Sequence, residues 1–414
     1  MKAKLDRRGS RAALAVHTRF GRCHRSLIRM LEILLRPLPW LLQTRAARPI
    51  DEVRKILVVE QGRLGDVVLL GPFLQKLRNR FPHAHIALLG RPGLEDLLAA
   101  QNFVNELIAI EIPWAAGLPR WRVCTPFCSV LPSFVRQVFR LRQRDFDLSF
   151  VSGVGDIRHN FVLFLAGARR RVGYGFSGGG FLLTDVVEPD LDRVHRAELS
   201  LRLLESLGIH SEPSERRPLS ATPEDEEFAT ELLCSNGILT DDLIVGIHPA
   251  AGAAIKEWGE DRFREVAKKI VHEFNAKVIW FSEPRKASNE VCTEVCSYNG
   301  RIIPVVLPLG RFLAVLSRCQ LVVCNDSGPM HMAAALGVST VAIFGPELPD
   351  WYGPLGSGHR IVIRKGMWCR PCWQKCRFEA PYCLRLISVD EVMRAVTERL
   401  ETIIEKRARV EAQV

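Results

Sequence analysis

The chain has 414 residues, which is long enough for two domains with separate buried cores. Hydrophobic residues make up 47% of the chain and charged residues 25%, so disorder, collagen and coiled coil are excluded as descriptions of the whole. The formal net charge is +11, but residues 1–50 hold twelve Lys or Arg and two acidic residues. Residues 51–414 hold 45 basic and 44 acidic residues. Because the body is almost neutral, a basic nucleic-acid-binding domain is excluded and no nucleic-acid partner is expected.

An amphipathic helix is predicted inside this basic N-terminal extension, residues 1–50. Leu27, Leu31 and Leu34 lie on one helical face, while Arg25 and Arg29 lie on the other. The pattern, with Trp40 beyond the helix end, suits a segment lying on an anionic membrane surface through residues 24–42. An ordinary helix packed on the body fits the same pattern.

Neither a membrane-spanning helix nor a signal peptide is predicted. The longest uncharged run, 327–346, contains three glycines and two prolines, and arginines interrupt any apolar stretch near the N-terminus. The expected location is the cytoplasm, with a peripheral site on the cytoplasmic face of the inner membrane as a further expectation.

The body begins near Asp51 with a strand–helix–strand unit. Lys55–Glu60 and Ile86–Leu89 are predicted as strands, and Val67–Phe81 between them has helical periodicity. Further strands are predicted at 107–112 and 147–151. The proline-containing and arginine-rich stretch 117–144 is interpreted as a mobile or acceptor-side insertion.

A composition shift at 208–224 predicts a linker, after which a second α/β series follows. The chain is therefore predicted as an α/β protein with two parallel-sheet domains and a cleft between them, 51–215 and 216–387. Its predicted elements are strands at 243–247, 277–281, 321–324 and 340–344 and helices at 261–274, 329–336 and 388–404. Ser388 is predicted to cap the last helix, with Glu391 at the third position.

The first loop that could carry a chemical function joins the first strand to its helix. Gly62 and Gly65 allow close backbone approach and positive φ, and Asp66 sits near the helix N-terminus. Asp66 is either a functional carboxylate or a helix cap. The fingerprints G-x-G-x-x-G at this loop and G-x-x-x-x-G-K-[ST] anywhere are missing, so NAD binding and ATP hydrolysis lose their usual support.

The second loop is Asp326-Ser327-Gly328-Pro329, with His331 one turn into the following helix. Backbone N–H groups at a helix start form an anion site, to which the Ser327 hydroxyl can add a hydrogen bond. A cap at Asp326 and a buried His331 are the alternative.

The third loop contains Ala250, Ala251 and Gly252, which permit backbone contact with a phosphate, and is followed by Lys256. Taken alone, Lys256 is interpreted as a surface lysine.

These motifs together resemble the glycosyltransferase family that includes the ADP-heptose–lipopolysaccharide heptosyltransferases, over residues 54–400. The residues that carry the resemblance are Ile56–Val59, Gly65–Val68, Phe81–Ala84, His248–Ala250, Lys256–Trp258, Asn325–His331 and Phe344–Pro346.

The resemblance implies a GT-B fold, two Rossmann-like domains facing across a cleft, with the last helix, 388–414, crossing back to the first domain. It implies inverting transfer of a heptose or related sugar from a nucleotide-sugar donor, ADP-heptose, to a lipopolysaccharide-core or other lipid-linked acceptor, without a metal or other cofactor. It places the general base at Asp66. It places the donor-diphosphate contacts at Lys256, Asp326, Ser327, Gly328 and His331. A sugar-nucleotide epimerase and a non-catalytic nucleotide-sugar-binding protein are the alternatives.

The sequence departs from the family pattern after the strand at 277–281. The carboxylate that contacts the donor ribose is therefore left open between Glu290 and Glu283. The glycine-rich stretch 176–180 is expected to shape a different acceptor site.

Four cysteines cluster near the C-terminus, at Cys369, Cys372, Cys376 and Cys383. Four thiols in fifteen residues can supply a tetrahedral zinc site, but their spacing is not that of a standard paired-knuckle site. Reduced metal-free thiols, structural zinc and a redox centre remain open, and no catalytic metal is expected.

Overall fold

The computed structural model describes residues 46–110, 125–153, 157–175, 178–188, 195–210, 219–283, 300–372 and 375–411. The chain divides into two compact units, residues 1–215 and 216–414. Residues 1–45 of the extension, including the predicted membrane-surface segment 24–42, lie outside the described residues, as do Glu290 and part of the stretch 176–180. Among the residues described, no helix combines the length and apolar character that crossing a membrane requires.

The first unit is built on a six-stranded parallel sheet. Its strands, in the order β3-β2-β1-β4-β5-β6, are β1 (Lys55–Val59), β2 (His85–Gly90), β3 (Glu106–Ala109), β4 (Leu148–Val151), β5 (Arg170–Tyr174) and β6 (Asp185–Val187). Its helices are α1 (Leu64–Arg80), α2 (Glu95–Leu98), α3 (Thr125–Gln143), α4 (Ile157–Leu165) and α5 (Arg196–Glu205). Strands β1 and β4 present side chains that are buried almost throughout, as expected for a parallel sheet with helices on its faces.

The second unit repeats this architecture with the sheet order β12-β11-β10-β7-β8-β9, again parallel throughout. Its strands are β7 (Ile244–His248), β8 (Lys277–Phe281), β9 (Ile302–Val305), β10 (Leu321–Asn325), β11 (Ser339–Phe344) and β12 (Arg360–Ile363). Its helices are α6 (Pro223–Ser235), α7 (Glu260–Phe274), α8 (Leu309–Ser317), α9 (Gly328–Ala335), α10 (Pro349–Tyr352), α11 (Tyr382–Arg385) and α12 (Val389–Glu411). When the strands of each sheet are numbered from one in chain order, both sheets have the order 3-2-1-4-5-6, which is that of the doubly wound Rossmann fold.

The last helix, α12, begins with the predicted cap. The Glu391 N–H donates to Ser388 Oγ at 3.2 Å, and the Ser388 N–H donates to Glu391 Oε2 at 2.8 Å. Val392, Val396 and Leu400 then pack into the core of the second unit. The crossing of this helix to the first domain stays a prediction.

The interpretation of 117–144 as mobile is wrong. This stretch, interpreted as a mobile or acceptor-side insertion, contains the 19-residue helix α3, and its place on the acceptor side stays a prediction. Phe134, Val138 and Leu141, spaced at i, i+4 and i+7, pack into the first core. Pro132 lies inside this helix, so its proline content does not prevent the stretch from being helical.

Candidate active site

The candidate site residues of the first unit gather where β1 and β4 end side by side. In a doubly wound sheet, the neighbouring strands whose connections run in opposite directions leave a crevice at their carboxyl ends, where ligands bind. Glu60 follows β1, and Ser152 and Gly153 follow β4. Asp66 reaches the same place from the first turn of α1.

Asp66 caps helix α1, as in one of the two interpretations made from the sequence, and its role as a functional carboxylate stays a prediction. Its Oδ2 accepts the Arg63 N–H at 2.8 Å, which caps helix α1. Its Oδ1 lies 3.3 Å from Arg196 Nε, and the side chain is 23% exposed. The helix cap fixes the position of one carboxylate oxygen, and solvent still reaches the group.

Arg196, which contacts Asp66, also forms a buried ion pair with Glu60. The sequence analysis did not predict this pair. Arg196, the first residue of α5, donates from a terminal nitrogen to Glu60 Oε2 at 2.8 Å. Ser152 Oγ donates to the same oxygen, and the Gly62 N–H donates to Glu60 Oε1 at 2.6 Å. One guanidinium is therefore shared by two carboxylates, those of Glu60 and Asp66.

Burial raises the pKa of the Glu60 carboxyl, with the Arg196 charge opposing and the Asp66 charge adding to that effect. The one sequence signal for this pair was a charged residue at the end of an apolar strand. Such a residue is rarely buried without a partner. The partner lies 136 residues further along the chain, where no local pattern points to it.

Two glycines make room for this network. A Cβ at Gly62 would lie 2.5 Å from Asp66 Oδ2 and 2.6 Å from Glu60 Oε1. Gly153 has φ +77°, and a Cβ there would overlap the Arg196 guanidinium. Gly62 thus makes room for a close approach of two carboxylates, while the positive φ that Gly62 and Gly65 would allow is adopted by neither. Gly65 is the second residue of α1, so its backbone is helical.

The second unit places its candidate residues at the equivalent point, where β7 and β10 end side by side. Lys256 Nζ lies 2.9 Å from Asp326 Oδ2 and 3.6 Å from Glu347 Oε1. The lysine side chain is 14% exposed and both carboxylates are buried. Lys256 is therefore not a surface lysine. Asp326, expected among the diphosphate residues, and Glu347, which sequence reasoning missed, hold its ammonium group.

Asn325, the last residue of β10, forms hydrogen bonds with the loop that follows β7. Its Oδ1 accepts the Trp258 N–H at 3.1 Å, and its Nδ2 donates to the Pro249 carbonyl at 2.6 Å. The Ala251 N–H donates to Glu257 Oε1 at 3.1 Å. These bonds fix the chain on both sides of Lys256.

Helix α9 begins beside this cluster. Ser327 is its N-cap and Gly328 its first residue, and the first turn contains a proline, as predicted. Ser327 Oγ donates to the Asn325 carbonyl at 3.3 Å rather than capping the helix. His331 is buried, as in the alternative interpretation. The start of α9 therefore supplies the positive end of a helix dipole close to the lysine cluster.

The remaining candidates are placed as follows. Ala250 and Ala251 are buried in the loop after β7, and Gly252 follows at the surface. Glu283 lies just beyond the end of β8 and is partly exposed. The structure does not choose between Glu283 and Glu290.

The cysteine cluster consists of free thiols. Burial raises the pKa of the Cys383 thiol, and the nearby Arg370 guanidinium opposes this effect. Within the described ranges, no group of three or more His, Cys, Asp or Glu side chains is arranged to hold a metal ion.

Comparison with known proteins agrees with this geometry. Residues 137–382 match the model of glycosyltransferase family 9 (heptosyltransferase), which is more than half of the chain. The chain therefore belongs to glycosyltransferase family 9 and is a glycosyltransferase.

Named relatives are similar over most of their length. Lipopolysaccharide heptosyltransferase 2 of Salmonella typhimurium is 26% identical over 330 residues, which is 75% of this chain and 91% of that protein. Lipopolysaccharide core heptosyltransferase OpsX of Haemophilus influenzae is 31% identical over 317 residues, 75% of this chain and 84% of that protein.

Solved structures show the same fold. A glycosyl transferase of family 9 from Veillonella parvula has a TM-score of 0.68 at 25% identity, covering 86% of this chain and 99% of that one. The Escherichia coli ADP-heptose lps heptosyltransferase II has a TM-score of 0.64 at 21% identity, covering 84% and 99%. The predicted α/β fold class, two Rossmann-like parallel-sheet domains of GT-B type, is confirmed.

Proposed function

We propose that this glycosyltransferase moves a heptose from ADP-heptose to a sugar hydroxyl of a lipopolysaccharide-core acceptor, with inversion at the anomeric carbon. Family membership and the similarity to lipopolysaccharide heptosyltransferase 2 support the sugar and the acceptor. The observation that carries the donor side is the ammonium group of Lys256, held by two buried carboxylates at the start of helix α9. A departing diphosphate is stabilised by preorganised N–H donors, which the ammonium group of Lys256 and the start of α9 can provide.

At the donor end, the bond between the anomeric carbon and the diphosphate breaks as positive character develops on the sugar. Lys256, the Ser327 hydroxyl, the Gly328 N–H and His331 are the proposed partners of the leaving phosphates, with the loop Ala250–Gly252 alongside. Asp326 acts by fixing Lys256 Nζ at 2.9 Å rather than by meeting the anion itself. Because one cation and a helix N-terminus supply the charge, we propose that the reaction requires no metal or other cofactor.

At the acceptor end, Asp66 is the proposed general base. Its carboxylate takes the proton of the acceptor hydroxyl as the new glycosidic bond forms, and a single displacement then gives inversion. Positioned bases of this kind contribute about 10²–10⁴-fold to the rate. The Arg63 N–H and Arg196 hold the two oxygens in place, so the group is oriented before the acceptor arrives.

The proposed acceptor is a glycolipid, so the enzyme must reach it at a membrane surface. We propose that the enzyme is cytoplasmic and binds the cytoplasmic face of the inner membrane peripherally, through the basic segment 24–42. The excess of ten positive charges in residues 1–50 supports this assignment.

The test compares Asp66→Asn with Asp66→Ala. Asn keeps an acceptor for the Arg63 N–H and so preserves the cap, whereas Ala also loses the cap, at a cost of about 1 kcal/mol. Both variants should bind ADP normally and lose at least 10²-fold in kcat for ADP release with a lipid A–core acceptor. The exposed Asp261→Ala is the matched control. Full turnover by Asp66→Asn would show that Asp66 is only a cap.

Donor identity is tested in the same assay with ADP-heptose and with UDP- and GDP-linked sugars, and the anomeric configuration of the product is read by NMR. Nucleotide release from ADP-heptose alone is expected. Release from none of these donors would contradict the proposed transfer.

A further inference from the structure

An exposed cluster of aromatic side chains lies between β12 and α12. Trp368 is 73% exposed, and Phe378, Tyr382 and Leu386 are exposed as well. The Trp368 and Phe378 rings pack edge to face with centroids 6.4 Å apart, and those of Phe378 and Tyr382 are 5.4 Å apart. The rings form a continuous apolar surface, which is a feature of interaction sites rather than of ordinary solvent-facing segments.

The segment that carries these rings is rich in positive charge. Residues 360–386 contain seven Lys or Arg and one acidic residue, although residues 51–414 as a whole are almost neutral. Arg360 and Arg364 pair with acidic side chains of α12. The exposed cations beyond those two are Lys365, Lys375, Arg377 and Arg385. Arg377 lies over the Trp368 ring at 5.8 Å from its centroid.

We propose that these residues, the aromatic–basic patch, dock the second unit on an anionic lipid surface. Trp and Tyr side chains favour the headgroup level of a bilayer, where the ring is apolar and its polar edge meets water. Lys and Arg beside them meet the negative headgroups. Aromatic residues with a one-sided positive charge fit this occupant better than a second copy of the chain, whose own patch would carry the same charge.

Hydrogen bonds connect the segment that carries the patch to the loop beside the lysine cluster of Lys256, Asp326 and Glu347. The Arg370 side chain donates from Nε to the Gly345 carbonyl at 2.7 Å, and the Cys372 N–H donates to the Pro346 carbonyl at 3.2 Å. The next residue after Pro346 is Glu347, a partner of Lys256. Lipid docking at the patch therefore fixes the loop that helps to hold the proposed phosphate-binding lysine.

The test is co-sedimentation of the full-length protein with vesicles of phosphatidylcholine alone or mixed with phosphatidylglycerol, without any sugar donor. Lys375→Ala combined with Arg377→Ala should lower partition into the anionic vesicles about 25-fold, at about fivefold per cation. Trp368→Ser should lower it about tenfold, equivalent to about 60 Å² of apolar surface lost from the contact. The N-terminal extension is the same in every variant, so differences between variants report the patch.

Matched controls are Leu239→Ser, which removes an equally exposed apolar residue of the same unit, and Lys268→Ala on α7. Both controls should partition as the unsubstituted protein does. Circular dichroism and ADP binding verify folding, and the double charge variant carries the test if Trp368→Ser does not fold. Equal losses in the controls, or no preference of the unsubstituted protein for anionic vesicles, would overturn the proposal. So would a Trp368→Ser variant that loses self-association in sedimentation velocity but keeps its vesicle binding.

Discussion

Replacing Arg196 by Gln removes the one cation shared by Glu60 and Asp66. The guanidinium donates to Glu60 at 2.8 Å and approaches Asp66 at 3.3 Å. At an effective dielectric constant of about 20, a pair of unit charges about 4 Å apart interacts by about 4 kcal/mol. Removing one partner of a buried pair typically costs about 3–5 kcal/mol. We therefore expect the free energy of opening the first sheet to fall by about that amount at pH 8.

The loss should be smaller at pH 5. Burial already raises the pKa of Glu60, so its folded-state pKa lies above the value in the unfolded chain. A carboxyl group with a raised folded pKa favours the native state at low pH, and this contribution is lost as pH rises through that folded pKa. Without Arg196 the pKa of Glu60 rises further, so lowering the pH favours protonation of Glu60 in the folded variant, and a protonated Glu60 leaves no unpaired buried charge.

Hydrogen exchange monitored by mass spectrometry measures this directly. Amides of β1 and β4 should lose about 10²–10⁴-fold of their protection at pH 8 and less at pH 5. Those of β7 and β10 should be unchanged and serve as an internal control. Arg202→Gln, on the same helix but in a partly exposed ion pair, should behave as the unsubstituted protein.

A second variant makes the reasoning refutable. Glu60→Gln combined with Arg196→Gln leaves a neutral carboxamide at the buried position, so most of the protection lost at pH 8 should return. Its kcat should stay low with unchanged ADP affinity, because Asp66 has still lost the group that orients it. Equal losses of protection at both pH values, or a double variant no better than Arg196→Gln, would refute the account.

Lys256→Ala should weaken ADP binding by about 1.5–3 kcal/mol, the range for a hydrogen bond to a charged group. Calorimetry against Lys268→Ala checks this, and equal affinities would contradict the assignment of the lysine cluster to the donor. Gly62→Ala should cost about 1–3 kcal/mol of stability through overpacking and should also lower kcat, because its Cβ would force Asp66 or Glu60 to move. Thermal unfolding and turnover measure the two effects, and an alanine variant with unchanged values for both would show that the loop can relax.

The elements that the sequence predicted correctly are those whose residues interact with near neighbours in the chain. The apolar run Ile56–Val59 and the turn that follows it led to a buried strand, a helix and a carboxylate at the helix start. The capping pair of Ser388 and Glu391 was predictable for the same reason, since both partners lie within one helical turn.

Residues that depend on distant partners were not predictable in this way. Lys256 looks like a surface residue until Asp326 and Glu347 are seen around it, and Arg196 has no local feature that links it to Glu60. Helix α3 was missed for a related reason. Its prolines are strong local signals for a loop, while the apolar face that overrides them gains its energy only by packing against the rest of the first core.

The position of both candidate clusters at the centre of a parallel sheet also affects how the chain folds. Ile56 pairs with Leu148 and Val245 with Leu321, so the strand pairs that carry these clusters close the longest loops within their sheets. Loop closure costs entropy before any contact is gained, and such pairings form slowly. Neither cluster can exist in a chain that has formed only its local strand–helix–strand units. Recovery of ADP binding during refolding should therefore follow the last step of assembly in the second unit, not the appearance of helical signal.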